Sequence, residues 1–396
     1  MRVADVFESI FGQAQVRDYL RTTLRTGRLS HAYLFTGPPG SNKTSAAYAF
    51  AQALICPDQG CMTCDHCRRA ARRNHPDIHF IEPEGAHGYL VDQIREVVAD
   101  AHLAPIQATR KIYIIDRVDL LGTQAANAFL KTLEEPPENV VFILLGRTKD
   151  AVLPTIVSRC QVVPFRHIPT TEASGIISQN TGVSAEQARI AVEACNGSVT
   201  KAIGFCKSPE KTGFRRRILE ILTLLPLSDE RDVLEYAAEL VKSAKADDWD
   251  VVSQAADLVL LSKAPLDVVR AAQEEELAEN ADFLAKSAIR QIEARNKRVL
   301  TKASLESLAQ VTSIIRSWLR DVLMIKSQAV EQIVNIDVMN DLEQAAARTT
   351  PAGLVRAIDA TYRCDKAIAY NVSTETCLDT LLFTIREVFY GSGGSH

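Results

Sequence analysis

The stretch Gly37-Pro-Pro-Gly-Ser-Asn-Lys-Thr44 decides the fold of this chain. It follows an apolar run, residues 31–36, that predicts a β-strand, and it opens a helical pattern over residues 44–55. A glycine-rich turn between a strand and a helix offers backbone N–H groups and a helix N-terminus to phosphate anions. The sequence therefore predicts a phosphate-binding loop in an α/β domain.

One position of this loop departs from the pattern G-x-x-x-x-G-K-[ST], because Asn42 stands where the second glycine belongs. Asparagine tolerates left-handed backbone angles better than other non-glycine residues, but its side chain would crowd the phosphates. Both a working ATP/Mg²⁺ site and a vestigial loop therefore stay open. The candidate nucleotide-binding residues are Gly37, Gly40, Asn42, Lys43, Thr44, Ser45 and, on a later strand, Asp116.

The strand that carries Asp116 also departs from the usual pattern. It reads Lys111-Ile-Tyr-Ile-Ile-Asp116-Arg117, and Asp116 is placed to hold Mg²⁺ through water. In ATPases of this kind the next residue is usually a glutamate that polarises the attacking water, but here it is Arg117. Loss of a general base lowers a rate by about 10²- to 10⁴-fold. Asp119 could substitute, but its spacing does not favour that role, so we expect negligible hydrolysis.

Apolar and helical patterns divide the chain into regions. Short strand-like runs alternate with helical patterns up to residue 166, which predicts a parallel sheet covered on both faces. Residues 170–206 predict three short helices with a stop at Asn196-Gly197, and residues 207–211 suggest a linker. The predicted domains are 1–166 (α/β), 167–208 (small helical lid) and 209–390 (all-helical, with apolar stripes at 272–298 and 305–328); 391–396 suggests a flexible or added tail.

Four cysteines lie close together after the first predicted helix: Cys56, Cys61, Cys64 and Cys67. Four thiolates satisfy tetrahedral Zn²⁺ and leave no position for a catalytic water, so the predicted role of this module (residues 56–67) is structural. His66 could compete as a ligand, and a redox role stays as the alternative. The remaining cysteines have mostly apolar neighbours, which predicts core packing.

Composition limits the classes of function. The 396-residue chain is 46% hydrophobic and 24% charged, as in soluble globular proteins, and its formal net charge is −4. Contact with nucleic acid would therefore need partner subunits or a local patch, such as Arg68, Arg69, Arg72 and Arg73 or the run 215–217, although solvated faces are the simpler interpretation. No apolar run approaches the length of a membrane helix, and no secretory signal opens the chain, which predicts a cytoplasmic protein.

Several longer motifs go beyond a generic nucleotide-binding loop. These are Phe11-Gly-Gln-Ala-Gln-Val, Gly27-Arg-Leu-Ser-His-Ala-Tyr-Leu-Phe-Thr, Asn127-Ala-Phe-Leu-Lys-Thr-Leu-Glu-Glu-Pro-Pro and Leu153-Pro-Thr-Ile-Val-Ser-Arg-Cys160. In this order they resemble the AAA+ subunits of the bacterial DNA polymerase III clamp loader. Ala369-Tyr-Asn-Val-Ser is also similar to a segment of that family's oligomerising collar. The resemblance implies an AAA+ P-loop domain with a helical lid, followed by an all-α collar.

The resemblance also implies a role in DNA replication. The loader is a hetero-pentamer of motor (gamma/tau), delta and delta-prime subunits that uses ATP to place the sliding clamp on primed DNA. Motor subunits carry intact nucleotide motifs, whereas the delta-prime type carries degraded ones. Asn42, Arg117 and Thr200, which stands where a phosphate-sensing arginine belongs beside Lys201, indicate the delta-prime type, with little or no ATPase activity of its own. Such a chain belongs to the polymerase holoenzyme in the nucleoid-associated replisome without synthesising DNA.

One family motif is intact, Ser158-Arg159-Cys160. The resemblance implies that Arg159 acts in trans, as an arginine finger in the ATP site of a neighbouring motor subunit. The simpler interpretation is a loop arginine paired with a surface carboxylate. Two other functions compete with the delta-prime prediction. One is a motor subunit that hydrolyses ATP itself, and the other is a zinc-dependent nucleic-acid-binding protein.

Overall fold

The computed structural model describes residues 5–85, 88–246, 305, 307–370 and 372–390. The chain divides into two compact units, Met1–Lys207 and Ser208–His396. The predicted apolar stripe at 272–298, part of the stripe at 305–328, Asn371 of the collar-like segment and the tail at 391–396 lie outside the described residues. Among those that are described, no helix is both long and apolar enough to cross a membrane.

A five-stranded parallel sheet forms the centre of the first unit. Its order is β2-β3-β4-β1-β5, and the predicted strands are confirmed with bounds that shift by one residue at most. The strands are β1 (Ala32–Thr36), β2 (Ile78–Ile81), β3 (Lys111–Ile115), β4 (Val140–Gly146) and β5 (Gln161–Pro164). In such a sheet, ligands bind beyond the carboxyl ends of the strands. The loop after β1 and Asp116 after β3 share this edge.

Helices cover both faces of the sheet, as predicted. Tyr33 and Phe35 of β1 pack with Phe50 on one side, whereas Leu34 packs with Ile94 and with the helix that follows β3 on the other. Side chains alternate along a strand, so one buried strand contributes to both cores. The helices are α1 (Ala14–Thr26), α2 (Lys43–Ile55), α3 (Asp65–Ala71), α4 (Val91–Ala101), α5 (Thr123–Glu134) and α6 (Pro154–Val157).

Three short helices complete this unit, as predicted, and we call the region that they form the lid. They are α7 (Thr170–Thr181), α8 (Ala185–Ala194) and α9 (Val199–Lys207). Asn196 and Gly197 both have positive φ, which ends the helical path between α8 and α9. The predicted linker at 207–211 is wrong. Ser208 caps a helix that begins at Pro209, since a serine followed by proline is a helix-start signal.

The described part of the second unit is helical apart from its connecting turns. Its helices are α10 (Pro209–Leu224), α11 (Glu230–Ala246), α12 (residues 307–326), α13 (Met339–Ala347), α14 (Pro351–Ala369) and α15 (Thr374–Tyr390). Trp318 is buried, as expected of a bundle core. Arg215 is also buried and pairs with Asp337, while Arg217 pairs with Glu239. These two arginines of the run 215–217 therefore have partners within the bundle.

Candidate nucleotide site, metal centre and trans-acting arginine

The phosphate-binding loop is built as its sequence predicts. Asn42 has φ 71° and ψ 20°, the left-handed conformation in which asparagine replaces glycine at the least cost. Gln13, which is buried, donates hydrogen bonds to the carbonyl oxygens of Ser41 (3.1 Å) and Arg166 (2.8 Å). It therefore ties the loop to the end of β5. The sequence motif around Gln13 was visible, but its contact with the loop was not.

The ammonium group of Lys43 contacts the loop itself. Its Nζ donates to the carbonyl oxygens of Gly37 (2.6 Å) and Pro38 (2.8 Å) and to Ser41 Oγ (3.2 Å). Burial lowers the pKa of Lys43 to about 8, and the nearby carboxylates of Asp116 and Asp119 partly offset this effect. All three N–H bonds of the ammonium thus have acceptors within the loop.

Two of the three residues that depart from the family pattern, Thr200 of the lid and Asn42 of the loop, contact each other. Thr200, near the start of α9, donates through its hydroxyl to Asn42 Oδ1 (3.0 Å), and Asn42 Nδ2 donates to the Ser9 carbonyl oxygen (3.1 Å). The Thr200 hydroxyl also lies 3.3 Å from that of Ser45. A Cβ added at Gly40 would lie 2.8 Å from the Gly197 carbonyl oxygen, so the lid backbone closely approaches the loop.

The third departure changes the charge beside Asp116. Arg117 has a left-handed backbone, and its Nε lies 3.9 Å from Asp116 Oδ2. A guanidinium cannot accept a proton and therefore cannot act as a general base. It also opposes a divalent cation at Asp116. The structure brings the candidate nucleotide residues to one edge of the sheet, where Lys43, Asn42 and Asp116 each have a contact within the chain.

The four predicted metal ligands lie together at the C-terminal end of α2. Their sulfur atoms are all within 4.8 Å of one another, and Cys56 Sγ is 3.6 Å from Cys61 Sγ and 3.7 Å from Cys64 Sγ. A tetrahedron with Zn–S distances of about 2.3 Å has sulfur–sulfur edges of about 3.8 Å. All nine cysteines of the chain are free thiols. The cluster therefore fits one four-coordinate metal ion.

Backbone hydrogen bonds connect the cysteines of the cluster. The backbone N–H groups of Cys61, Cys64 and Cys67 each donate to the sulfur of the preceding cysteine, at 3.4 Å. Hydrogen bonds from Thr63 lower the pKa of Cys61 to about 6, whereas burial raises the pKa of Cys67 to about 12 despite a hydrogen bond with the Gln52 side chain. Such surrounding contacts fix the orientation of metal ligands. Because Gln52 lies on α2, they also link the cluster to the helix that follows the phosphate-binding loop.

A histidine pair connects α3 to the sheet instead of binding the metal. His66 Nδ1 lies 2.9 Å from His75 Nε2, and His75 Nδ1 accepts the backbone N–H of Asp77 (3.1 Å). Burial lowers the pKa of His75 to about 4. His66 is not among the side chains of the metal cluster. Its ring, which the sequence left as a competing ligand, serves this structural contact.

The arginines that follow the cysteines lie partly outside a helix, because α3 ends at Ala71. Arg73 has φ 57°, and its guanidinium lies 4.6 Å from the centre of the Tyr48 ring. Arg68 forms an exposed ion pair with Asp65 at 2.8 Å. Arg73 therefore packs on Tyr48 instead of extending the helical face that carries Arg68.

Arg159 follows α6, at the edge of the first unit. Its guanidinium forms an ion pair with Glu134, the last residue of α5, and donates to the carbonyl oxygen of Thr155 at 2.7 Å. The surface carboxylate expected in the simpler interpretation of Arg159 is thus present. Glu134 lies in the motif quoted above, but only the fold brings it next to Arg159.

Comparison with known proteins agrees with the motifs. A model of the family described as "DNA polymerase III, delta subunit" matches residues 12–169, and one described as "DNA polymerase III, delta subunit, C terminal" matches residues 278–385. The first region holds the sheet, the cysteine cluster and Arg159. The chain belongs to the clamp-loader family of DNA polymerase III.

Two curated relatives illustrate the range within this clamp-loader family. The tau subunit of Bacillus subtilis is 40% identical over 188 residues, which cover 46% of this chain and 33% of that subunit. The delta' subunit of the same organism is 32% identical over 217 residues, which cover 54% of this chain and 65% of that subunit. The alignments cover less than two thirds of either relative. A gamma subunit-related structure from Thermotoga maritima is 18% identical, with a TM-score of 0.45 over 93% of this chain and 99% of that one.

Proposed function

We propose that this chain is the non-motor, delta-prime type of clamp-loader subunit. The observation that carries the proposal is the hydrogen bond between Thr200 and Asn42, at 3.0 Å. The side chains that replace a loop glycine and a lid arginine bind each other across 158 residues of sequence. A nucleotide in the loop would compete with this contact between lid and loop, and Arg117 provides no base beside Asp116, so we infer that the chain's own site supports no ATP turnover.

In this proposal Arg159 acts on a neighbouring motor subunit. A guanidinium that approaches a γ-phosphate offsets the charge that develops during hydrolysis, which is worth about 10³- to 10⁵-fold in related NTPases. Arg159 is partly exposed and stands on a turn fixed by the buried Ile156, so it is accessible to another subunit. The chain then promotes hydrolysis in a partner while it hydrolyses nothing itself.

The partners follow from the family. We propose assembly with motor (gamma/tau) and delta subunits into the hetero-pentamer through the second unit, with contact to the sliding clamp and to primed DNA made mainly through the whole complex. The compartment would be the cytoplasm, in the replisome at the nucleoid. The four-cysteine cluster would hold a structural zinc ion that stabilises the C-terminal end of α2.

Nucleotide binding by the purified full chain tests the proposal. A fluorescent ATP analogue with Mg²⁺ is titrated into wild type, Asn42→Gly/Thr200→Arg and a Thr181→Ala control, whose hydroxyl bonds only within α7. The double variant restores the family residues, so we expect it to bind at least tenfold more tightly than wild type and the control. Tight binding by wild type that is lost in Lys43→Ala would contradict the proposal.

The second candidate function is a motor subunit that hydrolyses ATP. It is favoured by the 40% identity with a tau subunit, which exceeds the 32% identity with a delta' subunit. Arg117 beside Asp116 opposes it, because the position then lacks a base. Turnover that depends on Lys43 in an assembled loader would favour this candidate.

A further inference from the structure

Two rigid elements bring Glu134 and Arg159 together. Glu134 is the last residue of α5, directly after the buried Leu133. Arg159 lies two residues beyond α6, and the backbone of its turn is closed by a hydrogen bond from Arg159 N to the Ile156 carbonyl oxygen at 3.0 Å. Ile156 and Leu133 belong to the same hydrophobic core. The spacing between the two charged residues is therefore set by packing and not by loop motion.

The guanidinium of Arg159 is held on one side only. Nη1 donates to the Thr155 carbonyl oxygen (2.7 Å) and to Ser158 Oγ (3.2 Å), and Nη2 donates to one carboxylate oxygen of Glu134. Three of the five N–H donors are used in this way. Within the part of the chain that the structure describes, Nε has no hydrogen-bond partner. Two donors stay available, the number that a bidentate contact with a phosphate group requires.

Fixing an arginine side chain before it meets its target has a clear energetic benefit. A free arginine loses about 2 kcal/mol of side-chain entropy when it is immobilised. Arg159 is 31% exposed and Glu134 is 48% exposed, so their ion pair contributes little to stability. A carboxylate at the C-terminal end of a helix also faces the negative end of the helix dipole. A contribution to folding stability therefore explains the presence of Glu134 at this position poorly.

We infer that Glu134 is a positioning residue for Arg159, one that orients the guanidinium toward the nucleotide of the neighbouring subunit. This inference rests on the proposed function, because it requires Arg159 to act in trans. The carboxylate accepts one N–H of Nη2, so Nε and the second N–H of Nη2 are not used by this contact. Glu135, the next residue, is exposed and makes no ion pair among the described residues, so it provides a matched control.

The test uses a loader reconstituted from this full chain and its motor and delta partners, with clamp and primed DNA. The Arg159-dependent turnover is the difference between the ATP turnover of wild type and that of Arg159→Ala. We expect Glu134→Ala to lower this difference about fivefold through kcat, with KM for ATP unchanged. We expect Glu134→Gln, which keeps an acceptor oxygen, to recover part of it, and Glu135→Ala to match wild type.

A double variant separates positioning from folding. If Glu134 acts through Arg159, Glu134→Ala changes nothing in a chain that already carries Arg159→Ala. An equal loss of turnover in the Arg159→Ala background would overturn the inference, because it would indicate a folding defect. A higher turnover in Glu134→Ala alone would also overturn it, because Glu134 would then hold Arg159 back from its target. If Arg159→Ala itself has no effect, the proposed function fails. If only Glu134→Ala has no effect, the inference fails and the proposed function stands.

Discussion

The phosphate-binding loop and the Arg159 turn lie in the same unit, but only the loop departs from the family pattern. At the loop, the residues that depart from the family pattern contact one another, as Asn42 and Thr200 do. At the turn, the family motif is intact, and the arginine keeps two free donors beside its contacts with the chain. In the function that we propose, this chain has lost residues that would serve its own site and has kept the one that would serve its neighbour's.

The largest effect that we expect in the isolated chain concerns the cysteine cluster, which with bound zinc would stabilise α2, the helix that follows the phosphate-binding loop. Replacing Cys61 and Cys64 by serine removes two of four ligands and should release the zinc. Metal-site energy is folding energy, so we expect the melting temperature to fall by about 10 °C. Differential scanning calorimetry measures this change, together with one zinc per wild-type chain by elemental analysis.

A matched control for the metal prediction is Cys206→Ser, which changes a half-buried thiol outside the cluster. It should retain the zinc and melt within a few degrees of wild type. Purified wild type with no bound zinc, or a double serine variant that melts like wild type, would show that the cluster does not hold a structural metal.

The next effect is a loss of stability in acid that originates at His75. Burial lowers the pKa of His75 to about 4 in the folded chain, compared with an ordinary value near 6.5. The unfolded chain thus binds a proton first, so the contribution of His75 is complete above pH 6.5 and is lost as the pH falls toward 4. The loss amounts to at most about 3 kcal/mol. Urea unfolding between pH 4 and 7.5 measures it.

Two variants test whether the pH dependence of the free energy of unfolding originates at His75. His75→Asn should show a smaller fall in the free energy of unfolding over this range than wild type. His167→Gln, which replaces an exposed histidine, should keep the full slope. Equal slopes for wild type and His75→Asn would show that protonation of His75 does not destabilise the fold.

The smallest effect tests whether the hydrogen bond between Thr200 and Asn42 stabilises only the phosphate-binding loop. Thr200→Ala removes a hydrogen bond worth about 0.5–1.5 kcal/mol, which corresponds to at most about tenfold faster amide exchange where the contact limits opening. Hydrogen exchange followed by mass spectrometry should show faster exchange in residues 37–45 and no change in residues 155–160. If amide exchange became equally faster in both segments, the contact would not be specific to the phosphate-binding loop.

Local patterns predicted much of this molecule. The five strands follow from short apolar runs, and the cysteine cluster follows from spacing, because both depend on residues close in sequence. The contacts that define the candidate sites join distant segments instead. Asn42 meets Thr200 across 158 residues, and Arg215 meets Asp337 across 122. No local periodicity encodes such pairs, so an interrupted motif could be seen at Asn42 but its partner could not.

One local misinterpretation is also informative. Ser208 and Pro209 read as a linker because serine and proline are common in loops, yet the same pair forms the cap and first residue of α10. The choice between loop and helix start depends on the residues that follow, which are strongly helical here. The boundary between the two units therefore falls at a helix cap.

The most direct test of the central claim is ATP turnover by the reconstituted loader, with clamp and primed DNA, compared among wild type, Arg159→Ala and Lys43→Ala. We expect Arg159→Ala to remove the share of turnover contributed by the neighbouring motor site, since an arginine finger is worth about 10³-fold or more there. We expect Lys43→Ala to leave turnover at the wild-type rate. A loss in Lys43→Ala, with Arg159→Ala unchanged, would contradict the account and identify the chain as a motor.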